Sequence, residues 1–335
     1  MTRYSFLFLL IIACRAFAQE EPSLKMLTTQ SMSVETKLKL IDDITQQMLK
    51  PAIRSMYSTK SDAEKEKHNA KLLDLFQQLL NVPESFDYGF DSLKRDIGVL
   101  YSPDDKFRIV HWNVPKEDGT HEYYGFIQEK FSDKKHGDAF QLYPLTDKSA
   151  EIKNIDNAVT DNKKWYGTLY NKIIVKKVKS KTYYTLLGWK GNDKFSQKKV
   201  IEVLTFDQNG VPHFGADIFN YGKRYPKRVI FEYSATCSSM PVRYSAKKDT
   251  IIVGHLAPME PQLTGQFQYY CCDMSYDGFG WKKGKWGYGE DVKAQNDKDE
   301  KDALYHDPHD RREGHEQSTE FKNPNHKKKK KTPSK

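Results

Sequence analysis

The chain has 335 residues and carries 54 Lys+Arg against 45 Asp+Glu, a formal net charge of +9. Its 19 Gly and 14 Pro exclude a collagen-like or Pro/Gly-rich disordered chain, and four Cys exclude a disulfide-dense scaffold. With 20 Tyr, 18 Phe and 5 Trp available for burial, the length predicts one or two globular domains.

The first 18 residues have the three parts of a secretory signal peptide. Arg3 supplies the positive start, residues 6–13 form the apolar core, and residues 16–18 (AFA) form a small-x-small cleavage site. The apolar core is too short to cross a bilayer, which takes about 20 residues, and no later apolar stretch approaches that length. We therefore predict export and no transmembrane segment. Because the sequence shows no obvious C-terminal sorting domain, we expect a periplasmic or outer-membrane-associated location rather than full release.

Lipidation is a second interpretation of the same segment. Residues 11–14 (IIAC) resemble a bacterial lipobox, in which Cys14 would carry the lipid and anchor the protein. The apolar core before Cys14 would then be very short. Cleavage after Ala18 is favoured by the complete three-part pattern, and lipidation of Cys14 stays open as the alternative.

Cleavage after Ala18 leaves Cys237, Cys271 and Cys272, an odd number for an exported protein. Cys271 and Cys272 are neighbours in a predicted strand, so their side chains face opposite sides of a sheet. An oxidising compartment permits a disulfide from Cys237 to either of them, and the sequence leaves that choice open. The chain contains no Asn-x-Ser/Thr sequon, which favours a bacterial source.

Residues 19–85 are predicted to form a helical region. Apolar residues recur at three-to-four spacing over residues 34–48, and Pro51 is predicted to stop or kink that helix. Ser61 and Glu64 form a capping-box pattern that starts a second, leucine-rich helix. Two helices with a short connection predict an αα-hairpin that packs its apolar stripes on a core.

From about residue 86 the apolar period changes from near 3.6 to 2, which indicates strands separated by turn signals. The predicted strands and hairpins lie at residues 107–112, 123–130, 139–145, 172–178, 182–189, 200–206, 211–219, 228–234, 241–245, 250–255, 266–272 and 281–286. Residues 86–292 therefore predict a large, mainly antiparallel β domain, either a sandwich or a barrel, with a small β-propeller as the alternative. Together with the helical hairpin, this predicts an α+β fold.

Residues 293–335 are predicted to be a disordered charged tail, because apolar residues nearly vanish there. Two arginines in the signal and seven lysines in residues 322–335 account for the whole net charge, so the body is neutral. The candidates for docking an anionic surface or an acidic envelope protein are Lys327, Lys328, Lys329, Lys330 and Lys331. A tail that only aids solubility is the alternative, and the neutral body disfavours specific nucleic-acid recognition.

Signatures of catalysis and of cofactor binding are missing from the sequence. It contains no HExxH motif, GxSxG elbow, Walker loop or GxGxxG loop after a strand, and its histidines show no metal-ligand spacing. We therefore predict no cofactor and no metal, name no catalytic residue, and lean towards a protein that is not an enzyme.

Six residues stand out as pocket candidates. One pair follows a glycine turn, and the others combine aromatic rings with carboxylates, as a carbohydrate cleft does. The candidates are His213, Asp217, Trp281, Trp286, Asp277 and Glu290. Packing in the core is the favoured interpretation of the tryptophans.

The predicted β domain contains six recognisable stretches: residues 102–108 (SPDDKFR), 118–120 (DGT), 183–189 (YYTLLGW), 199–204 (KVIEVL), 215–219 (GADIF) and 228–233 (RVIFEY). These stretches resemble a group of uncharacterised exported proteins of Bacteroidetes bacteria. The resemblance covers most of residues 86–292 and does not extend to the lysine tail. It implies a compartment and a lineage, and it brings no mechanism and no site residue with it.

The sequence supports three hypotheses of function. A complete fold pattern without a catalytic constellation favours an exported, non-enzymatic cell-envelope protein that acts as an interaction or accessory module. A hydrolase of envelope glycans is the second hypothesis, with Asp277 and Glu290 as candidate carboxylates. A carrier of a small ligand or lipid is the third, and it needs an apolar cavity in the β domain.

Overall fold

The computed structural model describes residues 32–133 and 137–293 of the chain. The predicted signal, Cys14 and the lysine run all lie outside the described residues. Within them, helices come first and mostly antiparallel strands follow, so the predicted α+β class is confirmed. None of the described helices is long and apolar enough to cross a membrane.

The helical segments are α1 (Val34–Ile44), α2 (Lys50–Ser58) and α3 (Asp62–Leu80). Ser61 caps α3 as predicted, since its hydroxyl oxygen accepts the N–H of Glu64 at 3.5 Å. The Glu64 carboxylate does not complete the capping box and instead accepts the hydroxyl of Thr59 at 2.6 Å. Serine thus starts the helix while the carboxylate fixes the chain just before it.

Of the two outcomes predicted for Pro51, a stop or a kink, the stop is wrong, because the helix continues to Ser58. A π-helical turn, Thr45–Leu49, joins α1 to α2, and in it the N–H of Lys50 bonds to the Thr45 carbonyl. This wider turn already departs from the regular i→i−4 pattern. Pro51 is the second residue after this turn, in the first turn of the next α-helical segment, where the missing proline N–H interrupts the helix least.

The described strands form three sheets. Sheet I contains β1 (Gly98–Tyr101), β2 (Phe107–Pro115), β3 (His121–Asp133) and β4 (Gly137–Thr146). Sheet II contains β5 (Thr160–Asp161), β6 (Leu169–Val178), β7 (Lys181–Gly191), β8 (Ser196–Phe206), β9 (Pro212–Phe214) and β11 (Arg228–Ser234). Sheet III contains β10 (Phe219–Asn220), β12 (Val242–Ser245), β13 (Thr250–Pro258), β14 (Tyr270–Lys282) and β15 (Lys285–Gly289).

Neighbouring strands mostly follow one another in sequence. Sheet I has the order β1-β2-β3-β4, sheet II the order β5-β9-β8-β7-β6 with β11 also paired to β8, and sheet III the order β10-β15-β14-β13-β12. The β10–β15 pair is parallel, whereas the other strand pairs of the described sheets are antiparallel. None of these sheets closes on itself, and a sandwich-like arrangement fits them.

Alternating side chains of the strands build a layered core. In β2, Val110 and Trp112 pack on the helices, whereas Phe107 and Ile109 pack against sheet II. Sheet II buries its second face, including Ile201, against sheet III. The layers therefore run from the helices through sheets I and II to sheet III.

Cys237 forms a disulfide with Cys271, and their Cα atoms lie 5.8 Å apart. Cys272 is a free, half-buried thiol. The structure thus answers a question that the sequence left open. Because Cys237 follows β11 and Cys271 begins β14, the disulfide links sheet II to sheet III.

Candidate functional site

A cleft of about 630 Å³ opens where β11 meets sheet III. Ile230, Phe231 and Glu232 of β11 line it along the strand. Tyr166, just before β6, contributes to one wall, and Tyr288 of β15 contributes to the other. The cleft therefore lies beside one strand of sheet II and is closed in by segments from two directions.

Half-buried aromatic rings form one wall of the cleft. Tyr221 packs edge-on against Tyr288 with ring centroids 4.5 Å apart, and its centroid lies 6.3 Å from that of Phe231. The guanidinium of Arg224 stacks over the Tyr221 ring at 4.9 Å. Partly exposed aromatic surface of this kind is the main contact surface of many ligand sites.

A hydrogen-bonded group of three side chains lies in the same cleft. Asp277 Oδ2 lies 2.8 Å from His255 Nδ1 and accepts the Tyr288 hydroxyl at 2.7 Å. The hydrogen bond to Asp277 raises the pKa of His255 above its ordinary value. Asp277 is buried, whereas 39% of the His255 side chain is exposed, so the imidazole is the more accessible member of this pair.

The pairing of β13 with β14 explains how His255 reaches Asp277. Val253 lies directly opposite Asp277, and the register then shifts between Gly254 and Leu256. The extra residues of this β-bulge belong to β14, where Asp273, Met274 and Ser275 lie between the partners of Leu256 and Gly254, so His255 stands opposite an irregular segment of β14. Bulges of this kind are common beside functional sites.

A second polar group lines the cleft on the sheet II side. Lys198 and Glu232, which lie opposite each other on β8 and β11, form an ion pair at 3.4 Å. The Ser196 hydroxyl donates to the other carboxylate oxygen of Glu232 at 2.7 Å. This pair adds hydrogen-bonding groups to the cleft while its two charges compensate each other.

The six pocket candidates lie in three different places. Asp277 is in the cleft, and Glu290 is exposed near it, where its charge helps to raise the pKa of His255. Trp286 is fully buried and donates its indole N–H to the Thr185 hydroxyl at 2.9 Å. Trp281 packs edge-on against Trp286 with ring centroids 5.0 Å apart, so the two tryptophans belong to the core of sheet III.

His213 and Asp217 line a separate groove of about 340 Å³ beside β9. His213 Nε2 lies 3.3 Å from Asp207 Oδ2. The other oxygen of Asp207 accepts the N–H groups of Asn209 and Val211, which closes the turn between β8 and β9. His213 and Asp217 therefore share a groove with each other but not with Asp277.

Sequence reasoning missed the residues that complete the cleft. His255 looked like one scattered histidine among several, and neither Tyr221 nor Tyr288 stood out among 20 tyrosines. His255 and Asp277 are 22 residues apart and meet only through the pairing of β13 with β14, in which Val253 lies opposite Asp277. The one usable signal was Asp277, a carboxylate within an apolar, aromatic strand.

The arrangement suits binding better than nucleophilic catalysis. Among the described residues Asp277 is the hydrogen-bond partner of His255, and no Ser, Thr or Cys side chain bonds to the ring. Residues 32–133 and 137–293 contain no group of three or more His, Cys, Asp or Glu placed to hold a metal ion. Comparison with family models, curated proteins and solved structures found no match.

Proposed function

We propose that this chain is an exported, non-enzymatic binding protein of the cell envelope, and that the cleft beside β11 is its ligand site. One observation carries the proposal: a half-exposed aromatic wall and the His255–Asp277–Tyr288 group line the same cleft. Small-molecule and peptide sites combine apolar walls with a few fixed polar groups that orient the ligand. The cleft has this composition.

Two features support export. Residues 1–18 have the pattern of a signal peptide. The Cys237–Cys271 disulfide is of the kind that persists in an oxidising compartment such as the periplasm. The resemblance to exported Bacteroidetes proteins agrees with both, and the lysine run at residues 327–331 would add attraction to an anionic surface.

The geometry of Asp277 favours binding over glycan hydrolysis. Its Oδ2 faces both His255 and Tyr288, so the carboxylate serves to orient these side chains. Glu290, the other candidate carboxylate, does not line the cleft. The mixed polar and aromatic lining also differs from the enclosed apolar cavity that a lipid carrier needs.

The test is a binding screen of the secreted protein against arrays of envelope glycans and of envelope-protein peptides. For a genuine ligand we expect Tyr221→Ala and Asp277→Asn each to lower the affinity by about tenfold, because they remove a stacking surface and the orienting carboxylate. Both substitutions leave the layered core in place, which thermal unfolding of each variant checks.

Two controls separate the cleft from the rest of the chain. His213→Ala alters the other groove, and a chain that ends at Phe321 lacks the lysine run. Both should bind the ligand within about twofold of wild type. Ligands that bind equally to all cleft variants, or a glycan that the protein cleaves, would refute the proposal.

A further inference from the structure

The side of β11 that faces away from β8 is a free strand edge. β11 pairs with β8 over its whole length, and no other strand of the described chain pairs with it. The N–H of Arg228 bonds to the Asp156 carbonyl at 3.0 Å, so it points away from β8. Because backbone groups alternate along a strand, those of Ile230 and Glu232 point the same way.

These outward backbone groups have no partner. In residues 32–133 and 137–293, no hydrogen bond beyond the β8–β11 pairing involves the N–H or C=O of Ile230 or Glu232. Both residues line the cleft. The two N–H groups and two C=O groups of Ile230 and Glu232 therefore face the cleft with the spacing of a strand. An exposed edge of this kind can pair with an added strand from a ligand.

The walls beside this edge suit the side chains of an added strand. Successive side chains of a strand point to opposite sides. On one face of β11, Phe231 packs in a cluster with Tyr221 and Tyr288, and on the other face Ile230 packs in a cluster with Tyr166 and Ile155. All of these residues line the cleft, so apolar side chains of an added strand have contacts on both faces. Such alternate contacts are how edge-strand sites gain sequence preference.

The charges of the cleft favour an acidic residue in the ligand. Lys198 is paired with Glu232, and His255 is paired with Asp277. The exposed guanidinium of Arg224 lies at the aromatic wall and, within the described part of the chain, has no carboxylate partner. A carboxylate of the ligand would supply that partner.

We propose that the cleft binds an extended peptide segment of a partner protein, which pairs as an added strand with Ile230 and Glu232 of β11. The segment has apolar side chains on both faces and an acidic residue beside Arg224. This inference rests on the proposed role of the cleft as a ligand site, and it names the class of ligand.

The decisive experiment selects ten-residue peptides from a random display library with the full secreted protein and then scans the best peptide by backbone N-methylation. Methylation removes one peptide N–H at a time. We expect affinity to fall by about tenfold at alternate positions, whose N–H groups bond to the carbonyls of Ile230 and Glu232, and to change little between them. A scan in which the loss of affinity does not alternate from one methylated position to the next would overturn the inference.

Variants of the protein, rather than of the peptide, test the same strand pairing. Ile230→Pro removes an outward N–H that the β8 pairing does not use, and edge strands tolerate proline at such positions. It should weaken peptide binding by about tenfold, whereas Ile230→Val keeps the N–H and should bind normally. Arg224→Gln should weaken acidic peptides and leave neutral ones unaffected.

Other outcomes would assign the edge to a different occupant. If no peptide is selected while a glycan binds in a Tyr221-dependent manner, the peptide inference fails and the ligand-site proposal stands. If sedimentation shows a dimer that Ile230→Pro dissociates, the edge pairs with a second copy of the chain, and the inference is overturned. The methylation scan uses the wild-type protein, so it decides the question even if Ile230→Pro does not fold.

Discussion

His111 on β2 lies buried in the layer between sheets I and II. Its ring packs edge-on against Tyr170 with centroids 5.7 Å apart, and neither ring nitrogen has a hydrogen-bond partner of normal geometry in the described residues. Burial lowers the pKa of His111 to about 4 from an ordinary 6.5. The folded protein therefore keeps the ring neutral at pH values where the unfolded chain binds a proton.

We expect His111 to lower the free energy of unfolding by about 3 kcal/mol as the pH falls from about 6.5 to about 4. Glu129 acts in the opposite direction, because burial raises the pKa of its carboxyl to about 7. Because the two effects overlap in wild type, urea unfolding at several pH values has to compare the wild type with a variant that lacks His111. The stability of His111→Leu relative to wild type should rise steadily below pH 6.5.

His68→Gln on α3 is the matched control, because it removes a histidine from a partly exposed helix position. The difference between its curve and the wild-type curve measures the effect of removing a histidine that is not fully buried. A His111→Leu curve that stays parallel to wild type would show that His111 does not titrate as its burial requires.

At the scale of the element, the first helix depends on the π-helical turn before Pro51. Proline inside a regular helix costs about 3 kcal/mol, because it lacks an N–H and clashes with the preceding turn. The turn at Thr45–Leu49 accommodates Pro51, so Pro51→Ala should change the free energy of unfolding by less than about 1 kcal/mol. Ala52→Pro, one residue later, should cost about 3 kcal/mol.

Chemical denaturation of the two variants measures this difference, and helix content from circular dichroism shows whether the helix persists to Ser58. If Pro51→Ala and Ala52→Pro lowered the free energy of unfolding equally, the π-helical turn would not be what accommodates Pro51. The comparison is sharp because both substitutions lie in the same helix and exchange the same two residue types.

The elements that the sequence predicted are those held by local contacts. The Ser61 cap uses a hydrogen bond to the N–H of Glu64, three residues away, so a short motif reveals it. The contact of His255 with Asp277 spans 22 residues and depends on the register of β13 against β14, which no local motif marks. The π-helical turn was missed for a related reason, since proline alone predicts a break.

At the scale of the whole molecule, the stacking of the layers decides which aromatic residues are free to bind. Trp286 reaches Thr185 across 101 residues of chain and is buried by that contact, which no local pattern reveals. Tyr221 and Tyr288 also belong to sheet III and its surroundings, yet they stay half exposed because the cleft lies over them. The mainly antiparallel pairing of the strands could therefore be predicted from the sequence. The cleft could not, because it is formed by the packing of sheet II on sheet III.

The Cys237–Cys271 disulfide holds this packing where β11 approaches β14. It spans 34 residues, and constraint of the unfolded chain over a loop of that size stabilises a fold by about 3 to 4 kcal/mol. A double variant, Cys237→Ser with Cys271→Ser, should lose about that much free energy of unfolding in urea. Cys272→Ser, which keeps the disulfide, should lose less than about 1 kcal/mol.

A reductant provides a second test of the disulfide that needs no substitution of either cysteine. Dithiothreitol should bring wild type and Cys272→Ser down to the stability of the double variant, and it should leave the double variant unchanged. If dithiothreitol instead leaves wild type unaffected, the disulfide does not stabilise the packing of sheets II and III. Its support for an oxidising compartment would be lost only if thiol titration of the protein from its native cells found Cys237 and Cys271 free.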